Sequence, residues 1–310
     1  YVTIALLAND ATACFDRMVP NISSIVAMKY GMHPNVMRCR NMIMEDMDHA
    51  VRTQHGDSSG AYREESGDKK IAGETQGKAD AASLWSVESH TILRAAQAEN
   101  DGLHLPHVAD PTIHIRKNND SFVDDTDAMA AKRGDTFYSS EKKTAAQINK
   151  CAQTWNDLIC GTGGSVAFHK SMCWVMTWLD GTFPPQLKEQ SSQQIVLLDS
   201  HGASHNIKML GVNDTNKGLG VHMAPSGQQT TEFKYRENQC KDLINSVRGR
   251  KMPMHYAISL LNGRIMPKTT YSLNLTTFDA KECKRLNTIV DQVMLNQLRL
   301  NRSTPKAVLY

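Results

Sequence analysis

The stretch Tyr1-Val2-Thr3-Ile4-Ala5-Leu6-Leu7-Ala8-Asn9-Asp10 decides how this chain is read. Its first nine residues form a short apolar run, β-branched at Val2, Thr3 and Ile4, which predicts a buried strand. The run stops at a polar residue, so Asp10 is expected at the strand end. An aromatic ring and a second acid, Phe15 and Asp16, follow within one turn of chain.

Further along, Phe122-Val123-Asp124-Asp125 sets two adjacent carboxylates between two β-like runs in 112–130. A turn there can aim at least one of them at Asp10. Carboxylates packed together repel one another unless cations neutralise them. Magnesium is the expected ion, with manganese as the alternative. It prefers hard oxygen ligands and completes its shell with phosphates and water, so the protein need supply only one or two carboxylates per ion. Two such ions, about 3.5–4 Å apart, would activate a hydroxyl and stabilise a leaving pyrophosphate during in-line attack. Taken singly these features are ordinary, since Asp-Asp pairs occur in surface turns and a strand-terminal Asp often caps a helix.

Around these motifs the chain alternates. Helices are expected over 20–30 and 34–48, separated by Gly31 to Pro34, where glycine ends the first and proline starts the second. An exposed hairpin is expected over 49–72, a helix over 80–100, a helix over 139–160 and one or two strands over 166–179. The Pro/Gly/Ser/Gln-rich segment 181–206 reads as a loop holding one strand, Ile195 to Leu198. After Gly227 the pattern becomes helical, near 230–248, 254–262 and 279–300.

The chain has 310 residues, 40% of them hydrophobic, enough for a large core or two smaller ones. No apolar run approaches the roughly 18 residues of a membrane span. Together with a start at Tyr1 that is not a methionine followed by a basic and apolar leader, this makes membrane and secretory readings weak expectations. Seven scattered cysteines form no C-x-x-C pair, which fits a reducing intracellular setting and leaves nucleus and cytoplasm undivided. Net charge is only +3, but residues 226–310 carry 14 Lys and Arg against 6 Asp and Glu. A basic end beside an acidic body suits a protein that grips a polyanion with one part and holds cations in the other. His201 and His205 stand four apart as helical zinc ligands do, but Gly202 and the loop-like surroundings argue against such a pair. Trp155, Trp174 and Trp178 read as core residues.

The order of the motifs carries a resemblance. D-x-x-x-x-F-D at 10–16, G-x-x-Q-G at 73–77, F-V-D-D at 122–125 and Gly163-Gly164-Ser165-Val166-Ala167-Phe168-His169-Lys170-Ser171 resemble, in sequence, the four central palm motifs of reverse transcriptases. The form is similar to that of non-LTR (LINE-type) retrotransposon enzymes. Ile207 to Val212 and Lys217 to Val221 both look like the family's Leu-Gly primer-grip hairpin. Ile265-Met266-Pro267-Lys268 with Tyr271, and the tail from Arg302, are similar to its thumb and post-thumb.

The resemblance implies an α+β fold: an antiparallel palm sheet backed by helices over 1–224, then a mainly helical thumb over 225–310, with the fingers largely missing. It implies that Asp10 and Asp124 ligate both metal ions, with Asp125 beside them, and that Lys170 protonates the departing pyrophosphate. Phe15 matches the steric gate against a 2′-hydroxyl. Gln76 and Gly77 match the motif lining nucleotide and template, although Thr75 and Lys78-Ala79-Asp80 depart from the residues usual there. The implied partners are an RNA template, a DNA primer and deoxynucleoside triphosphates. Two other readings stand beside this one: a catalytically inactive nucleic-acid-binding remnant of a retroelement, and an unrelated magnesium phosphohydrolase using Asp10 and Asp124.

Overall fold

The computed structural model describes residues 1–12, 17–45, 52–60, 79–107, 109–110, 112–122, 125–179, 186–187, 191–247 and 252–297. The chain divides into two compact units, Tyr1–Gly211 and Val212–Tyr310. Both helices and sheets contribute, and strand pairing is mostly antiparallel.

In the first unit the elements run β1 (Val2–Asp10), α1 (Pro20–Lys29), α2 (Pro34–Glu45), β2 (Arg52–Thr53), β3 (Gly56–Asp57) and α3 (Ala81–Ala98). Then come β4 (Leu103–Pro106), β5 (His114–Lys117), β6 (Asn119–Phe122), β7 (Asp125–Arg133), α4 (Phe137–Gly161) and β8 (Met172–Leu179). The unit ends with β9 (Gln186–Leu187), β10 (Val196–Leu198), β11 (Ser204–Asn206) and β12 (Lys208–Leu210). The main sheet has the order β12-β8-β1-β7-β6, with β9 also pairing β8. The stretch quoted first is therefore its central strand. Only β12 breaks the antiparallel pattern, running parallel to β8.

Strand periodicity places the core. Along β1 the residues Thr3, Ala5, Leu7 and Asn9 are buried, while Val2, Ile4, Leu6, Ala8 and Asp10 are half-buried. The buried face packs on α4 through small side chains: Ala5, Ala128, Ala130, Ala145 and Ala152 share one cluster with Leu7, Ile148, Cys173 and Val175. Alanine on both sides lets helix and sheet approach closely. Hydroxyls close the far end of this seam, where Thr3 Oγ1 lies 2.7 Å from both Ser140 Oγ and Thr177 Oγ1. The Thr136–Ser139 capping box starts α4 beside them. A second cluster joins Met18, Ala27, Leu84, Trp85, Ile92, Trp155 and Ile159, tying α1, α3 and α4 together. Trp155 and Trp174 are buried as expected, and Trp178 is half-buried.

Leu7 is fully buried and Ile4, on the other face, is not. Leu7→Ala is therefore expected to cost about 2–5 kcal/mol of stability in chemical denaturation. Ile4→Ala should cost clearly less. Equal losses would mean that the sheet is covered on both faces alike.

The second unit holds a hairpin, β13 (Asn216–Gly218) and β14 (Val221–Met223), followed by α5 (Thr230–Val247), α6 (Met254–Leu260), a π-turn (Leu261–Ile265), α7 (Met266–Thr270) and α8 (Ala280–Gln297). Cys240, Ile244, Ala257, Leu261, Ile265 and Val290 form its core. The sequence placed the division near residue 224, whereas the units part at Gly211. The reason is local: the hairpin is bonded to α5 through Glu232 and Arg236, so it belongs with the helices.

Candidate functional site

The register of β1 against β7 sets two acids face to face, with Asp10 directly opposite Asp125. Residues so paired lie with Cα atoms about 4.5–5.5 Å apart and project from the same side of the sheet. Two residues on, Asp127 stands opposite both Ala8 and Asp120. Alternation along β7 puts Asp127 on the same side as Asp125, so this side of the sheet carries a row of carboxylates. Desolvation, and then the like charges of Asp120 and Asp125, push the Asp127 carboxyl above its ordinary range.

The strand end is completed by the segment after α4. Thr12 N–H donates to the Ser165 carbonyl at 2.8 Å, Ala167 N–H donates to the Asp10 carbonyl at 2.7 Å, and Ala11 bridges Val166. Lys170 follows within one turn, and its Nζ lies 2.9 Å from Asp10 Oδ2. The Gly163-Gly164 pair makes the approach possible. Gly163 has φ +93°, and a Cβ there would meet the Arg17 carbonyl oxygen at 2.6 Å.

Of the residues singled out in the sequence, the structure therefore brings Asp10, Asp125 and Lys170 together. Asp124, Phe15, Gln76 and Gly77 lie outside the described residues. Among the described residues no group of three or more His, Cys, Asp or Glu is placed to hold a metal. Two facing carboxylates at a strand end do suit a hard cation that takes most of its shell from water and phosphate. Asp127 was missed in the sequence, yet its signal was present: in Asp125-Thr126-Asp127 a period of two puts both acids on one face.

His201 and His205 lie on the β10–β11 hairpin rather than on a helix, and they converge on a carboxylate. Asp199 accepts the N–H groups of His201 and Ala203, and its Oδ2 sits 2.9 Å from His205 Nε2. These contacts, the His205 ring first, hold the Asp199 carboxyl down at about 2.

In the second unit the two Leu-Gly segments separate. Leu210 ends β12, whereas Leu219 and Gly220 form the tip of the β13–β14 hairpin, with φ +48° and +83°. Positive φ at both central residues is the mark of a two-residue turn matched to strand twist. The tip is clamped from below: Tyr271 Oη donates to the Leu219 carbonyl at 2.8 Å and Arg236 Nη2 donates to the Gly220 carbonyl at 2.6 Å. Leu219 itself is half exposed.

No family model matches this chain, and no curated protein matches it. Solved structures do. The chain is similar to telomerase from Candida albicans in complex with a TWJ fragment of telomeric RNA, at TM-score 0.36 and 10% identity, over 99% of this chain and 49% of that one. It is also similar to apo telomerase from Candida tropicalis, at TM-score 0.39 and 12% identity, over 95% and 47%. The chain thus spans about half the length of the structures it matches. Superpositions of this quality carry no argument about function.

Proposed function

We propose that this chain is the palm and thumb of an RNA-directed DNA polymerase of the non-LTR retrotransposon type. The observation that carries the reading is the cross-strand pair Asp10 and Asp125 with Lys170 reaching Asp10. Asp124, next in sequence to Asp125, joins them by the motif match. Magnesium or manganese bound there would activate the primer 3′-hydroxyl and stabilise the leaving group during in-line attack. Asp10 and Asp125 would hold those ions from two neighbouring strands, with Asp124 beside Asp125 in sequence. Lys170, on a flexible stem within reach of Asp10, would protonate the pyrophosphate as it leaves. Phe15 would exclude a 2′-hydroxyl, and Gln76 with Gly77 would line the nucleotide.

The clamped hairpin at Leu219-Gly220 is our choice for the primer grip, since the other Leu-Gly segment ends a sheet strand. The excess of Lys and Arg over residues 226–310 favours a polyanionic partner, here a primer on an RNA template. Primer extension by the chain on an RNA template, with magnesium and deoxynucleoside triphosphates, is the test. Product that requires template and divalent cation is expected.

One observation favours a second reading, that of a non-catalytic nucleic-acid-binding remnant. The Lys170 ammonium lies 2.9 Å from Asp10 Oδ2, where it competes with a cation for that carboxylate. A remnant would bind primer–template in a salt-sensitive way, gain no affinity from the matching deoxynucleotide, and make no product.

A further inference from the structure

Lys170 sits on a short turn that is propped from behind by residues away from the carboxylates. The turn closes on the Ala167 carbonyl, which accepts the N–H groups of Lys170 and Ser171 at 2.9 and 3.1 Å and the Ser171 hydroxyl at 3.2 Å. Phe168, inside this turn, lies flat on the His205 ring, with centroids 4.3 Å and planes 6° apart. The His205 ring is itself fixed, because Nε2 meets Asp199 Oδ2 at 2.9 Å and Asp199 Oδ1 takes two backbone N–H groups of the same hairpin. Phe168 also packs against both buried clusters of the first unit.

We propose that His205 and Asp199 are positioning residues for Lys170: the hairpin 196–206 holds Phe168 in place, and Phe168 holds the turn that delivers the lysine to Asp10. Neither residue touches Lys170 or Asp10. Their effect is to narrow the backbone of a turn whose side chain, with four rotatable bonds, would otherwise scatter. An aromatic ring stacked on a ring that is bonded at its edge restricts Phe168 more than either contact alone. The catalytic meaning of this support rests on the polymerase reading. The support itself does not.

The test separates the two. Lysine acylation by acetic anhydride, followed by mass spectrometry, reads how firmly the Lys170 side chain is held, because an amine seated 2.9 Å from a carboxylate oxygen must leave that contact before it can attack the reagent. Asp10→Asn should raise the Lys170 rate and calibrates full release. His205→Ala should raise it about fivefold, the loosening expected when one interaction of hydrogen-bond size is removed. His205→Phe keeps the flat ring and should stay near wild type, which separates loss of the stack from general unfolding. A His205→Ala rate equal to wild type, with Asp10→Asn accelerated, overturns the proposal. An Asp10→Asn rate equal to wild type overturns it as well, by removing the ion pair it depends on. The expected labelling pattern in a chain that extends no primer leaves the positioning intact and removes only the polymerase reading.

Discussion

Asp10→Asn is expected to lower template-directed primer extension by about 10²- to 10³-fold, the usual loss when one group that stabilises transition-state charge is removed. The substitution keeps size and shape, and in the folded chain it should not cost stability. Asp10 faces Asp125 across the sheet, and like charges directly opposite one another are destabilising. The substitution also removes the partly exposed ion pair with Lys170, worth about 0–1 kcal/mol, so the melting temperature of Asp10→Asn should stay close to that of wild type. Affinity for primer–template should not fall, because the acid repels phosphate unless a cation intervenes. This combination of lost rate, kept stability and kept binding is what a cation-holding carboxylate predicts. Asp127→Asn provides the contrast. It lies on the same side two residues further from the strand end and should leave most of the extension rate in place. If Asp10→Asn extends primer as fast as wild type, the reading of this strand end as a catalytic centre is lost.

The strand end was legible because its signals are local. A short β-branched run that halts at an acid fixes both the strand and the position of Asp10, and glycine before proline fixed the break between α1 and α2. Pairing is not local. Nothing in residues 1–10 says that Asp10 will face Asp125 rather than Asp127, since a shift of two residues leaves every side chain on its own face. The register follows from the buried alanines of β7 packing on α4, which are visible only once the helix is in place. Strand β5 fell within the β-like region expected over 112–130, whereas its partner β4, which ends at Pro106, was not expected. His205 was weighed as a metal ligand on its spacing to His201, while its real partner, Asp199, came from the turn of the hairpin just after β10. The clamp on the Leu219-Gly220 tip escaped because Arg236 on α5 and Tyr271, just past the end of α7, reach it from segments distant in sequence.

The largest loss of stability is expected from Glu232→Gln in the second unit. Glu232 is fully buried, and its carboxylate accepts from His222 N–H at 2.8 Å, stands 2.9 Å from the His222 ring and pairs with Arg236 Nε at 2.5 Å. Arg236 is almost as buried and spends its remaining donors on the carbonyls of Gly220 and Lys268. Its guanidinium cannot lose its proton, so removing the acid leaves a buried cation without its counter-charge, at a cost of about 3–5 kcal/mol. Replacing both residues together, as in Glu232→Leu with Arg236→Met, should recover much of that loss, because no charge is then stranded. Acid provides an independent check. Burial opposes the charged form of Glu232, but the hydrogen bonds from His222 and Arg236 outweigh it and leave the carboxyl below its ordinary value. A depressed carboxyl stabilises the fold above its unfolded pKa, about 4.3, and that contribution disappears as pH falls through the lower folded value. Wild-type stability in denaturant should therefore decline below about pH 4 more steeply than that of Glu232→Gln, which has no such proton to bind. Parallel declines, or a loss under about 1 kcal/mol for Glu232→Gln, would mean that Arg236 finds water instead. The hairpin tip it holds at Gly220 would then be a loosely attached loop and a poor candidate for gripping a primer.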